Sequence, residues 1–512
     1  MTSAMTRRTA VALLGVVALT LAFRLPSLFE PPWYDDEGIY AAVAHALLRG
    51  DRLYKDVLDN RPPGIYWLYA AMLAVSGYSV AFVKLTATVS FLLTQLAVFQ
   101  MARRLWDPLT ALVVIALFGF LGSIPMLEGN LANAEIFMIL PVTLGMLLAM
   151  GQRWFAAGVA LGCALLIKQI AGLEALAIVA GLLMFHPRPA AALLRFGAGY
   201  VIPCLIAAGY LWSQGTIADF WYVCVSYYFG YVQRETRIPV EFWALKLVVL
   251  GLSAACIGWF MRGPRSIARF QRGLVLIWTA AAFYGAFFTS RPYPHYLLEP
   301  LPPLLMVLGW LFVANWRRPM ADITGGKVAG AGGLAVAACS LFLIIYLPWP
   351  TWARPEKSIG YYQNFASLAS GQITQAKYND FFDRRVNRNM RLLRFLKQNT
   401  RPDDSLLIWG EEPWLYALTK LDVAPPFTVS YFAYEMPSGL QRMAESIAES
   451  RPHYIIWTRN KPLYPQLRAA LENDYVEEFA YDNAVVFQRI PNRDTLGQTL
   501  GPAETNRGVP LR

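Results

Sequence analysis

For roughly the first 350 residues the chain alternates long apolar runs with short polar connections, and then its character changes. Apolar stretches fall near 9–29, 79–102, 108–125, 134–151, 154–168, 170–186, 192–213, 242–261, 273–290, 296–316 and 327–347. Each is about 15–24 residues long, close to the ~20 a helix needs to cross a ~30 Å hydrocarbon core. The pattern predicts about eleven membrane-spanning helices. The pair at 154–186 is the least distinct, because Lys168 and Gln169 interrupt one continuous apolar stretch. The first run follows Arg7 and Arg8 and resembles a signal peptide. No clear small-x-small cleavage site follows it, so it reads as an uncleaved first helix.

Beyond Pro348 charges become frequent and apolar runs shorten. The segments SLLIWG, HYIIWT and AVVFQRI read as buried strands. VNRNMRLLRFLKQN and SGLQRMAESIAES carry helical spacing. The division expected is a membrane domain over 1–349, an α/β domain over 350–492 and a disordered tail over 493–512, rich in Gly, Pro, Thr and Asn.

Basic residues set the orientation. With the N-terminus in the cytoplasm, Arg7/Arg8, Arg103/Arg104, Arg153, Arg188/Arg195, the 262–272 arginines and Arg317/Arg318/Lys327 all fall on the cytoplasmic side. An odd number of spans then puts the α/β domain outside the cell, and compact loops suit a bacterial inner membrane. Composition agrees: 56% of residues are hydrophobic and only 15% charged, against about 25% in soluble proteins. The net charge of +11 comes from 45 basic and 34 acidic residues, largely as short clusters between apolar runs. No basic patch stands on a soluble module, which argues against nucleic acid as a partner. Of the five cysteines none lies beyond Cys339, and no CxxC occurs, so a thiolate metal site is not expected.

The chemistry gathers on the outer side. WYDDEGIY, at 33–40, places Asp35, Asp36 and Glu37 just past the first span, between Trp33, Tyr34 and Tyr40. Charges retained beside a bilayer often mark function, although a hydrated loop would also hold three acids. The residues that follow form an amphipathic helix ending at Gly50. Next, Arg61 precedes two prolines and an aromatic helix start; it suits a lipid phosphate, or a snorkelling role at a helix end. The second outer loop, PMLEGNLANAE, offers Glu128 and Glu135, with Glu135 fixed at the start of a span. Either can bind a divalent cation with Asp36, orient an acceptor, or do neither. Lys168 lies at the outer end of a span, where it can hold phosphate or snorkel. In RPYPHYLLEPLPPLL, Arg291 and His295 open another span, with Glu299 one turn beyond His295. Arg234 and Arg237 lie in an aromatic third outer loop and are weaker candidates for phosphate.

The run DDEGIYAAVAHALLRGDRLYKDVLDNRPPGIYWLY resembles the first outer loop of the GT-C superfamily of integral membrane glycosyltransferases. It is most similar to the glycosyltransferase family 39-like branch that holds protein O-mannosyltransferases, the lipid A aminoarabinose transferase and bacterial relatives. Asp-Glu, a Tyr three residues on, a Gly-ended helix, and a basic residue before Pro-Pro and Tyr-Trp all occur at matching spacing. Arg61 stands where relatives commonly have Lys. The likeness covers about residues 9–490, with its strong motif in 35–67. It implies a polytopic α-helical membrane fold with a C-terminal extracytoplasmic α/β domain. It also implies a polyprenyl-phosphate sugar donor and a lipid, glycan or protein acceptor. Asp36 becomes the general base of an inverting displacement, with Glu37 beside it. Asp35 opposes ionisation of that base by like-charge repulsion. The sequence leaves open which of Asp35 and Asp36 points inward, and Asp36 is preferred. Arg61, Lys168, Arg291 and His295 become donor-phosphate ligands. Tyr40, Glu128 and Glu135 lie near the acceptor or a metal.

Two other classes remain. A transporter or flippase would place charges and broken helices near the midplane, in repeats. An O-antigen ligase-type enzyme would carry its motif in a large late loop. This chain shows no repeat and puts its motif first.

Overall fold

Helices α1 (Arg7–Arg24), α2 (Asp35–Arg49), α3 (Pro63–Ser76), α4 (Val80–Leu105), α5 (Pro108–Leu121), α6 (Ala134–Met150), α7 (Trp154–Ile167), α8 (Gly172–Phe185) and α9 (Pro189–Ser213) follow one another with short connections. The computed structural model describes residues 6–228, 230, 251, 258, 264–288, 293–317 and 355–490. The spans expected at 242–261 and 327–347 lie outside the described residues, as do Arg234, Arg237, Arg291 and the 493–512 tail. Two compact units form, Met1–Asn387 and Arg388–Arg512.

In the first unit the helix boundaries follow local chemistry. Asp107 caps α5 by accepting from the Leu109 and Thr110 amides, and Pro108 occupies a first-turn position where no N–H is needed. Helix α2 carries all three acids of the DDE run in its first turn, where they complement the exposed amides. It ends at Gly50, whose φ of 103° lets its N–H reach the Ala46 and Leu47 carbonyls. Arg7–Phe29, Val80–Leu105 and Pro189–Ser213 are, among the described residues, long and apolar enough to cross a membrane; shorter apolar helices accompany them. Small residues draw α7 and α9 into backbone contact. A Cβ on Gly158 would strike the Phe196 carbonyl, and one on Gly199 the Phe155 carbonyl. Leu194, Leu205, Ile206 and Trp212 on α9 are exposed, an outward apolar face that suits lipid.

The second unit holds a five-stranded sheet in the order β2 (Asp422–Val423), β1 (Ser405–Trp409), β3 (Tyr454–Thr458), β5 (Ala484–Arg489), β4 (Tyr475–Tyr481). β1 runs parallel to β2 and β3, while β5 is antiparallel to β3 and β4. All five residues of β3 are buried, as a central strand requires. The edge strand β4 exposes Val476, Glu477 and Glu478 and shifts register between Glu477 and Phe479, which blunts a free edge. Helices over Gly439–Ser450 and Pro465–Asp474 connect the strands. Arg388, buried, is tied within this unit to Glu412 and Asn483.

Candidate active site

A ring of buried polar contacts fixes the segment that follows α1. The 3-10 turn Leu25–Phe29 leads to Glu30, which is buried. Its carboxylate accepts from Trp33 Nε1 (3.0 Å), Lys84 Nζ (3.0 Å), Asn130 Nδ2 (2.7 Å) and the Tyr361 hydroxyl (2.6 Å). Lys84 also donates to Glu37 Oε1 at 2.6 Å, and the Ala132 amide meets the same oxygen at 2.5 Å. Burial pushes the Glu37 carboxyl above the ordinary range, against the pull of Lys84. Glu37 therefore faces the interior and joins α2 to α4 and the loop between α5 and α6. Arg24, also buried, clamps that loop by donating to the carbonyls of Gly129 (2.7 Å) and Gly122 (3.3 Å).

Asp36 turns another way. Its side chain keeps 29% exposure, and Oδ2 lies 3.9 Å from Arg61 Nη2. The Arg61 backbone is held firmly: its carbonyl accepts from Tyr54 (2.8 Å) and its amide donates to the Tyr66 hydroxyl (3.2 Å). Tyr66 in turn donates to Asp59 Oδ2 at 2.5 Å. Among the described residues nothing accepts a hydrogen bond from the Arg61 guanidinium, whose side chain is only 14% exposed. Tyr40 is buried against Tyr66 and Tyr69, and its hydroxyl has no hydrogen-bond partner among the described residues. Asp35 faces Arg385 at 3.1 Å.

A second set of charges alternates in sign. Glu128 pairs with His295 Nδ1, and His295 Nε2 lies 3.7 Å from Glu135. Glu135 pairs with Lys168, whose ammonium stands 4.2 Å above the Tyr296 ring. The Tyr34 hydroxyl is 3.5 Å from His295 Nδ1. Glu128 is held in the left-handed region, φ 53°, a conformation costing a non-glycine residue about 1 kcal/mol or more. Burial pushes the Glu128 carboxyl up, against the pull of His295. Burial also disfavours the His295 imidazolium, but the carboxylates of Glu135 and Glu128 overcome this, and the net shift is upward.

The sequence candidates thus fall into three groups. Asp36, Arg61 and Tyr40 lie together with accessible or unsatisfied polar atoms. Glu128, Glu135, Lys168 and His295 form one paired chain. Glu37 is locked to Lys84, and Asp35 to Arg385. Lys84, Arg24, Asn130, Tyr361 and Arg385 were not singled out from sequence. A lysine inside the apolar run VAFVKLTATVS was the one available signal. Among the described residues no three His, Cys, Asp or Glu side chains gather to hold a metal ion.

No protein-family model matches the chain. Its fold is similar to the crystal structure of ArnT from Cupriavidus metallidurans in the apo state, with TM-score 0.58 and 17% identity over 97% of this chain and 100% of that one. The same protein bound to undecaprenyl phosphate gives TM-score 0.53 and 17% identity, covering 93% and 98%. The fold is that of these ArnT structures. In sequence it is similar to the undecaprenyl phosphate-alpha-4-amino-4-deoxy-L-arabinose arabinosyl transferase of Pseudomonas aeruginosa, with 28% identity over 380 residues, or 68% of each chain.

Proposed function

We propose that this chain moves a sugar from a polyprenyl-phosphate donor to an acceptor hydroxyl on the outer face of the cytoplasmic membrane, inverting the anomeric centre. About eleven spans would then leave the N-terminus inside and the α/β unit outside. Asp36 takes the acceptor proton as the acceptor oxygen attacks the anomeric carbon. The bond from that carbon to the phosphate oxygen breaks, and polyprenyl phosphate leaves with the electron pair. Arg61 receives the phosphate, with His295 and Lys168 contributing positive charge behind it.

The observation carrying this reading is the Arg61 guanidinium. It has five N–H donors, little exposure and no hydrogen-bonded acceptor among the described residues, and it stands 3.9 Å from an accessible carboxylate. That geometry suits an anion beside a base. The names of the relatives support the donor class: one is an undecaprenyl-phosphate-aminoarabinose transferase, and a structural neighbour was solved with undecaprenyl phosphate. The acceptor, whether lipid, glycan or protein, is left to experiment.

The test is a panel of radiolabelled polyprenyl-phosphate sugars, including aminoarabinose and hexoses, given to purified wild type and Asp36→Asn with membrane lipid extract as acceptor. Donor loss with labelled product in wild type, and a rate about 10³-fold lower in the variant, is the expected result. Equal rates in the two proteins would remove Asp36 from the reaction. Donor carried across vesicles without cleavage would instead favour a transporter.

A further inference from the structure

The first turn of α2 presents two adjacent carboxylates with unlike surroundings. Asp36 looks toward Arg61 across 3.9 Å. Both oxygens of Asp35 receive Arg385 Nη2, at 3.1 and 3.4 Å. Arg385 is far away in sequence, yet its guanidinium is itself oriented. Its Nε donates to Asp383 Oδ2 at 3.0 Å, and its backbone N–H to Asp383 Oδ1 at 2.7 Å.

The segment that brings Arg385 there is anchored on the stretch between α1 and α2. It contains helices over Pro355–Ala369 and Gln375–Asp380. Phe365 packs on Phe29 with ring centroids 5.3 Å apart, and Phe382 on Trp33 at 5.8 Å. Tyr361 adds its hydrogen bond to Glu30. Two ring contacts and one hydrogen bond on the residues just before Asp35 make the Arg385 position a built one rather than a chance surface ion pair.

We propose that Arg385 is a positioning residue of the transfer reaction: it holds Asp35 in an ion pair, its guanidinium shared with Asp383, and leaves Asp36 as the carboxylate that takes the acceptor proton. The inference rests on the transferase reading above and answers which of the two acids works. Its physical basis is simple. An ionised Asp35 beside Asp36 would oppose a second negative charge, and a fixed guanidinium cancels that field. The other charged and titratable groups around the pair are Tyr34 and Tyr40 from α2 and its approach, Asp59 and Arg61 from the following loop, and Tyr69 from α3. Glu128 and Glu135 lie on the second loop, His295 on the Pro294–Leu298 turn, and Asp383 beside Arg385 itself. Of these, Asp383 also loses its cation in an Arg385 variant, and the Asp35→Asn background separates the contribution of Asp35 from that of Asp383.

The experiment is the pH profile of kcat/KM for donor consumption by the full-length protein, in wild type, Arg385→Ala, Arg385→Lys, Asp35→Asn and the double variant Arg385→Ala/Asp35→Asn. In Arg385→Ala the acid limb moves to higher pH by about half a unit to one unit. kcat falls about tenfold, with a smaller change in KM. Arg385→Lys keeps the limb near its wild-type place. The double variant returns it there, because the charge that Arg385 cancelled is gone. Asp35→Asn retains at least about a tenth of wild-type turnover, while Asp36→Asn does not. A limb that stays put in Arg385→Ala, or stays shifted in the double variant, overturns the proposal. If Arg385→Ala does not fold, Asp35→Asn decides: a loss as deep as that of Asp36→Asn makes Asp35 the base and ends the argument. Failure of the wild type to bind or consume any donor sinks the transferase reading itself, and this inference with it.

Discussion

Two ion clusters meet at the first turn of α2 and are built on opposite principles. Around Lys84 each charge has an opposite charge in contact: Glu37 at 2.6 Å and Glu30 at 3.0 Å, with Glu30 met again by Asn130, Tyr361 and Trp33, while Glu37 Oε2 has no hydrogen-bond partner among the described residues. The side chains of Lys84, Glu30 and Glu37 are fully buried. Around Arg61 the nearest carboxylate is 3.9 Å away, and both partners keep some exposure. Desolvating ions is expensive, so a cluster that buries them must pair them internally, and its cation is then committed and not offered to an anionic ligand. A guanidinium held in place by its backbone, with its donors uncommitted, has that capacity. The difference separates scaffold from site more sharply than proximity does, because Glu37 and Asp36 are neighbours in the chain.

The largest expected effect is on the scaffold side. Lys84→Met leaves Glu30 and Glu37 buried without their cation, a change that typically costs about 3–5 kcal/mol. Thermal unfolding in detergent should show a large fall in Tm, and adding Glu37→Gln should recover part of it by removing one carboxylate. A variant of near-wild Tm whose turnover is lost would invert the comparison and put Lys84 in contact with substrate.

On the open side, Arg61→Ala should leave Tm nearly unchanged while kcat/KM for donor falls about 10²-fold, as expected when a charge-assisted contact to a phosphate is removed. Arg61→Lys should recover part of the loss, since an ammonium supplies charge without the planar fork. Equal donor affinity in wild type and Arg61→Ala, measured by direct binding, would mean the phosphate sits elsewhere.

The sequence carried the elements well and the partnerships poorly. DDEGIY through Arg49-Gly50 reads as a capped helix, and it is one. SLLIW, YIIWT and AVVFQR read as strands because their apolar residues are continuous, and each is a strand. Tyr475–Tyr481 was passed over because an edge strand interrupted by a register shift shows no clean alternation. Glu135 was expected to be fixed at a span start and is the second residue of α6. What period and composition cannot show is which charge meets which. Arg24 reads as the outer end of the first helix, yet it is buried on loop carbonyls about a hundred residues away. Lys168 reads as open to phosphate, yet it is paired with Glu135. Arg385 and Asp35 are 350 positions apart, and only tertiary structure brings them together.

The smallest effect tests a cluster between the two extremes. The Glu128–His295–Glu135–Lys168 chain pairs its charges as the Lys84 cluster does, with Glu128 Oε1 and Glu135 Oε2 left without a hydrogen-bond partner among the described residues, but it contains a group that titrates near neutrality. Burial opposes the His295 imidazolium while Glu135 and Glu128 favour it more, so its folded pKa lies above the ordinary 6.5. A histidine raised in this way adds stability that is fully present below about pH 6.5 and is lost as pH rises through the folded value. Glu128, whose carboxyl is pushed up from 4.5, also loses stability with rising pH, but beginning in a lower window. Wild-type Tm should therefore decline in two stages, the upper one starting near pH 6.5. His295→Gln, which keeps a hydrogen-bonding side chain without the charge, should remove the upper stage alone, a difference of about 1 kcal/mol near pH 6. An upper stage that survives in the variant would assign that titration to another group. Loss of both stages would show that His295 and Glu128 titrate as one unit, the behaviour of a closed cluster rather than of two independent sites.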